Sequence, residues 1–254
     1  MMDKILKVKN LTKNYKDGAD SVNILENLNI DMPENQFLCV LGPSGCGKTT
    51  LIRCIAGFED YDGVVEVSGK ETKGPGIDRI MVFQNFDQLF PWKTVEDNIK
   101  YPLKINGTKD KEELSKLAKE YLELVGLAGS EKKYPHQLSG GMKQRVSIAR
   151  GLAVKPKIIL MDEPFASLDA ITRRNLQREL LKIKEKENVT VVFITHNIQE
   201  AMTLGDRLIV LSKSGEIKLD IHNTLQAPIN PATEGYGELW KKLSDNLEGN
   251  SDLY

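Results

Sequence analysis

Residues 42–49 read Gly42-Pro43-Ser44-Gly45-Cys46-Gly47-Lys48-Thr49, a complete G-x-x-x-x-G-K-[ST] phosphate loop. In such a loop successive backbone N–H groups turn inward around a polyphosphate, which glycines permit because no Cβ stands in the way. Lys48 adds a compact positive charge, and the Thr49 hydroxyl can ligate Mg²⁺. The apolar run Phe37–Leu41 ahead of the loop reads as a buried strand and Thr50–Ala56 behind it is helix-compatible, so a bound anion would sit on a helix N-terminus. These residues predict binding of a nucleoside triphosphate.

Two further segments carry chemistry. Ile158-Ile159-Leu160-Met161-Asp162-Glu163 is an apolar run ending in two carboxylates, which places both at the C-terminal edge of a buried parallel strand. Asp162 there suits Mg²⁺ and Glu163 suits polarising an attacking water. Leu138-Ser139-Gly140-Gly141-Met142-Lys143-Gln144-Arg145 opens with a good helix N-cap, Ser139, followed by two glycines. Capping accounts for Ser139 and for neither glycine, since Gly weakens a helix interior by roughly 1 kcal/mol against Ala. Exposure of backbone N–H groups to an anion does account for them.

The elements that must hold these segments follow from hydrophobic period. Ile5–Val8 with Leu28, Ile30 and Met32 read as antiparallel strands, and Val64–Val67 and Arg79–Phe83 add two more. From Val95 to Gly126 the period becomes helical, with Leu114, Leu117, Tyr121, Leu122, Leu124 and Val125 among many Lys and Glu, as in a partly exposed helical insert. Strands and helices then alternate through Lys157–Met161, Arg174–Lys186, Thr190–Ile194, Gln199–Leu204 and Arg207–Leu211, the signature of βαβ units and a parallel sheet. The polar tail from about Leu247 to residue 254 reads as frayed.

Composition narrows the class. In 254 residues, 35 Lys and Arg nearly balance 36 Asp and Glu, so no basic footprint points to nucleic acid. Cys39, Cys46 and Cys54 cluster around the phosphate loop with neither zinc spacing nor a disulfide framework, which suits a reducing cytosol. No apolar run approaches the ~18 residues of a membrane span, so a membrane role is expected to come through a partner.

Leu138–Arg145, with the phosphate loop upstream and Asp162-Glu163-Pro164 downstream, is similar to the nucleotide-binding subunit of an ABC transporter over nearly the whole chain. The resemblance implies an α/β, P-loop NTPase fold of the ABC-ATPase type: a mixed sheet core, an antiparallel β subdomain, and a helical subdomain at about 85–155 within a single domain of residues 1–254. It implies ATP and Mg²⁺, the nucleotide held by residues 42 to 50, from Gly42 through Thr50. It assigns Tyr15 to stacking on adenine, Gln84 to sensing metal and water, Asp169 to a loop crossing a dimer interface, and His196 to contact with the γ-phosphate. It further implies a head-to-tail homodimer in which Ser139, Gly140 and Gly141 of one subunit cap ATP on the phosphate loop of the other. Transmembrane permease subunits and an external solute-binding protein would complete the assembly, with this chain peripheral on the cytoplasmic side of the cell membrane.

The segment Phe86, Leu89, Phe90, Pro91 and Trp92 is the expected permease contact, with Leu89 equally readable as core. Gln84–Ile99 and Asp162–Arg173 resemble the nitrate, sulfonate and taurine importer group, although Ala166-Ser167 and the Ser147, Ile148 and Gly151 positions depart from its usual pattern. The alternative is a soluble ABC ATPase without a permease, such as one serving iron–sulfur cluster assembly, which should lack the Leu-Phe-Pro-Trp segment. Cys46, beside Lys48, is expected to be a reactive thiol if solvent reaches it, with Cys39 and Cys54 buried and slow.

Overall fold

The computed structural model describes residues 4–17, 20–84 and 88–248. Phe86 and residues 249–254 of the tail lie outside them. The chain forms two compact units, one of Met1–Gly76 with Thr190–Tyr254 and one of Ile77–Val189.

The first unit contains two sheets. Strands β1 (Lys4–Asp17) and β2 (Asp20–Pro33) pair antiparallel, with Leu6 opposite Met32, Val8 opposite Ile30 and Leu11 opposite Leu28. All six side chains are buried, so the alternation seen in the sequence is the inward face of this sheet. Its order is completed beyond β1 by β4 (Asp62–Val67) and the short β5 (Lys70–Glu71). The other sheet is mixed: β3 (Phe37–Leu41) runs parallel to both β8 (Thr190–Ile194) and β9 (Arg207–Leu211), while β10 (Ile217–His222) returns antiparallel to β9. Every residue of β3 and β8 is buried, which is why these strands read as continuous apolar runs. Helix α1 (Lys48–Ala56) follows β3, and α6 (Ile198–Leu204) and α7 (Tyr236–Glu248) belong to the same unit.

In the second unit β6 (Arg79–Val82) pairs parallel to β7 (Ile158–Asp162). Among the described residues four α-helices accompany them: α2 (Val95–Ile105), α3 (Lys111–Leu124), α4 (Gly140–Leu152) and α5 (Ala170–Glu187). Each starts on a polar side chain that accepts a backbone N–H of its own first turn: Thr94, Asp110, Ser139 and Asp169. The expected insert is therefore two helices before α4, divided at Asn106-Gly107, where Gly107 has φ 103°. The expected strand Arg79–Phe83 ends at Val82. At the C-terminus α7 carries Leu247 and Glu248 in helix, so the tail is ordered two residues further than its polarity suggested. Among the described residues no helix is long and apolar enough to cross a membrane.

Candidate functional site

Register builds the first edge of the site. Val40 of β3 lies opposite Ile194 of the parallel β8. Gly42 and His196 each follow two residues later, just past the ends of these neighbouring strands, at the C-terminal edge where open α/β sheets bind ligands. The phosphate loop starts there and ends at Gly47, the N-cap of α1, which is left-handed with φ 93° and ψ 7°. A Cβ at Gly47 would come within 2.6 Å of Leu25 Cδ2 and 2.8 Å of the Ile24 carbonyl oxygen, so conformation and space both require glycine.

Lys48 is buried, and its ammonium donates to the carbonyl oxygens of Gly42 at 2.7 Å and Pro43 at 2.9 Å. Two carbonyl dipoles thus fix the Lys48 ammonium at the loop. Thr49 and Thr50 follow in the first turn of α1. His196 is exposed directly after the buried Thr195. Tyr15 is 38% exposed on β1 with the Lys13 ammonium 4.7 Å from its ring centre, so it is a surface platform rather than a core residue.

Cys46 departs from expectation. Its side chain is only 1% exposed, and its sulfur lies 2.5 Å from where a Cβ on Gly42 would stand. Burial pushes the thiol above its ordinary value, although neighbouring Lys48 pulls the other way. Desolvation thus outweighs the electropositive loop, and burial keeps the sulfur from solvent, the condition on which its expected reactivity depended. Cys39 and Cys54 are buried as expected, with burial the main cause of their raised values, Cys54 to about 12.

The second unit repeats the register device. Val82 of β6 lies opposite Met161 of β7. Gln84 and Glu163 each follow two residues later, Gln84 exposed and Glu163 partly so, with the buried Asp162 closing the strand. Glu163 has φ 42°, a left-handed conformation that a long side chain rarely adopts. The chain beyond it is pinned: Ala166 N–H donates to the Glu163 carbonyl at 3.2 Å, and Arg173 donates to the Leu168 carbonyl at 2.8 Å. Asp169 then caps α5, accepting the N–H groups of Ile171 and Thr172 at 3.0 Å each. Hydrogen bonds from Thr172 first, and then from Ile171, hold its carboxyl below the usual range.

Ser139 caps α4 by accepting Met142 N–H at 3.3 Å. Gly141 has a packing reason that the sequence hid: a Cβ there would stand 2.7 Å from Thr172 Cγ2 on α5. Anion binding is therefore not needed to explain Gly141, whereas the partly exposed Gly140 retains that reading.

Near β6, Trp92 is 71% exposed, Phe90 is half-buried and Leu89 is core at 3%. The rings of Phe90 and Trp92 are 5.7 Å apart, and Tyr101 of α2 meets Phe90 edge-on at 4.7 Å. The organiser of this segment is Asn98, fully buried, which accepts Phe90 N–H at 2.8 Å and donates to the carbonyls of Phe90, Lys93 and Thr94. Arg150 at the end of α4 donates to the Gln88 carbonyl at 2.5 Å with its guanidinium 5.7 Å from the Phe90 ring centre. A lone Asn or Arg within helical sequence gives no sign of such work, and both escaped the sequence reading.

A phosphate loop between buried strand and helix, with a carboxylate pair closing a second parallel strand and a capped glycine helix start, defines a P-loop nucleotide triphosphatase of the ABC-ATPase fold. Residues 25–166 match the ABC transporter family model. The chain belongs to that family and is an ATP-binding, ATP-hydrolysing enzyme. It is 50% identical over 246 residues to an uncharacterized ABC transporter ATP-binding protein of Methanocaldococcus jannaschii, covering 96% of this chain and 91% of that one. It is 41% identical to the aliphatic sulfonates import ATP-binding protein SsuB of Bacillus thuringiensis subsp. konkukian, covering 95% of each. The bicarbonate transport ATP-binding protein CmpD of Synechocystis sp. is 46% identical over 82% of this chain and 74% of its own. A dimeric post-hydrolysis structure of the ATP-binding cassette MJ0796 bound to ADP and Pi has TM-score 0.76 and 36% identity, covering 85% of this chain and 98% of that one.

Proposed function

We propose that this chain powers import of a small anion, an organic sulfonate, nitrate or taurine-like solute, through partner permease subunits supplied by an external binding protein. The exposed Trp92 beside Phe90 is the observation that carries the importer reading, because a large apolar ring left exposed on a segment pinned by the buried Asn98 serves a partner better than the fold. The names of the sulfonate and bicarbonate relatives support a small anion as cargo. In this reading the chain acts as one ABC ATPase domain with a helical subdomain at about 85–155, the stretch that contains α2, α3 and α4. It is peripheral on the cytoplasmic face of the membrane.

The residue roles are as follows. Backbone N–H groups of the loop from Gly42 to Thr50 and the Lys48 ammonium hold the ATP phosphates, Tyr15 offers its exposed ring to adenine, and His196 contacts the γ-phosphate. Glu163 polarises the attacking water, positioned with Gln84. The hydroxyl of Thr49, the carboxylate of Asp162 and the amide oxygen of Gln84 are hard oxygen donors of the kind Mg²⁺ prefers, and the ion when bound would neutralise phosphate charge. Two subunits pair head to tail, the Ser139–Gly141 helix start of one closing over ATP on the other, with Asp169 in the adjoining loop. The dimeric state of the MJ0796 cassette supports such pairing.

Co-expression with candidate permease and binding-protein subunits of the importer type tests the reading. The expected result is a complex whose ATPase rises when the binding protein carries a sulfonate, nitrate or taurine. A chain that hydrolyses ATP yet never assembles with a permease would move the assignment to a soluble ABC ATPase.

A further inference from the structure

The start of α6 holds a buried carboxylate that the mechanism above does not use. Glu200 is 7% exposed, and its Oε2 accepts the Thr195 hydroxyl at 2.6 Å. The same Thr195 oxygen accepts Asn197 N–H at 3.0 Å, and Thr195 N–H donates to the Val40 carbonyl of β3 at 3.2 Å. Asn197 in turn caps α6 by accepting Glu200 N–H at 3.1 Å. His196 is the exposed residue between these two fixed neighbours.

Helix capping does not explain the carboxylate, because Asn197 already performs it. Burying a carboxylate costs several kcal/mol unless its oxygens are satisfied, so an apolar residue would serve packing better. The Glu200 charge also reaches β3, where after burial it is the next cause of the raised Cys39 thiol. Glu200 holds the Thr195 hydroxyl while Thr195 N–H bonds the Val40 carbonyl, so the turn after β8 is tied to the strand that leads into the phosphate loop.

We propose that Glu200 is a positioning residue for His196, acting through the Thr195 hydroxyl. This rests on the reading that His196 contacts the γ-phosphate. A histidine on a loose turn would sample many orientations, whereas one between two hydrogen-bonded anchors is oriented before ATP arrives, and misplacement of a contacting group by about 1 Å can lower a rate ~100-fold.

The test uses the full chain and two readouts. Steady-state ATPase is measured for Glu200→Ala, Glu200→Gln, Thr195→Val, Thr195→Ser, His196→Ala and the Glu200→Ala, His196→Ala double variant. Ring resonances of labelled histidine are recorded for wild type, Glu200→Gln and Thr195→Val, with His136, stacked on Tyr134, and His222, on β10, as internal references. Glu200→Ala and Thr195→Val should lower kcat about 10- to 100-fold with KM within about threefold, Thr195→Ser should restore most of the rate, and the double variant should be no slower than His196→Ala. The His196 resonances should shift and broaden while those of His136 and His222 stay in place. Unmoved His196 resonances, or losses that multiply in the double variant, would overturn the proposal. Should Glu200→Ala fail to fold, the Glu200→Gln spectrum decides alone. Wild-type kcat in His196→Ala would instead remove the γ-phosphate role of His196, and the resonances would still decide whether Glu200 orients it.

Discussion

Glu163 stands where two demands oppose each other. Its left-handed backbone, φ 42°, is one that a residue with a Cβ holds at a penalty of roughly 1 kcal/mol or more, while the water-polarising role proposed for it needs a carboxylate. Glu163→Gln should keep nucleotide binding, lower hydrolysis by at least ~100-fold, and accumulate an ATP-bound dimer on size exclusion. Glu163→Gly should lose hydrolysis equally while melting no lower than wild type, because relief of the strained φ offsets the greater freedom of glycine in the unfolded chain. Turnover of the Gln variant within a few-fold of wild type would show that another group activates the water. Cys46 makes the complementary point. Buried and raised above its ordinary value, it should react with maleimide only once the chain unfolds, and remain slow as pH climbs through the usual thiol range of about 8–9.

At the scale of elements, the loop from Gln88 to Thr94 is a short segment whose shape is set from outside by α2 and α4. Asn98 satisfies one N–H and three carbonyls of that segment from a fully buried position. Asn98→Ala should therefore lower stability by about 3 kcal/mol, read from denaturant melts, because those groups lose their partner in a place water reaches poorly. Phe90→Ala with Trp92→Ala should behave differently. Trp92 is mostly exposed, so the melting temperature should fall only slightly, and basal ATPase should hold near wild type. Assembly with the permease and ligand-stimulated ATPase should fall sharply, as truncation of aromatic anchors at an interface commonly costs ~2 kcal/mol or more. A large drop in melting temperature would show that the half-buried Phe90 serves the core and leave the docking surface unassigned.

For the whole molecule, the proposed head-to-tail dimer makes a claim that no single chain can satisfy. Lys48→Ala should weaken ATP binding and abolish hydrolysis, since the cation at the loop is lost while its backbone N–H groups remain. Ser139→Arg should leave ATP binding to the isolated subunit intact and block closure, because the Ser139 side chain is exposed and a bulky cation would stand in the facing subunit's path. Mixed together, the two variants should recover partial ATPase, with at most one intact composite site per heterodimer. A Ser139→Arg chain that hydrolyses at the wild-type rate would argue against the pairing.

The sequence by itself determined the chemistry and most of the frame. The octapeptide from Gly42 to Thr49 requires specific residue types at fixed spacing, because phosphate binding is done by consecutive backbone atoms, and local sequence encodes local backbone. The buried strands β3, β7, β8 and β9 were legible for the same kind of reason: parallel strands covered on both faces leave uninterrupted apolar runs. Strand β10 and helix α7 were not, since β10 alternates at an edge and α7 lies in a stretch too polar to stand out. Tertiary structure alone decided what each polar residue does once packed. Gly141 makes room for Thr172, Cys46 is shielded although Lys48 stands beside it, Asn98 holds in shape the segment four to eight residues before it, and Glu200 ties Thr195 beside His196. Burial and hydrogen-bond partnership are properties of contacts between distant residues, and a linear sequence fixes them only through the fold.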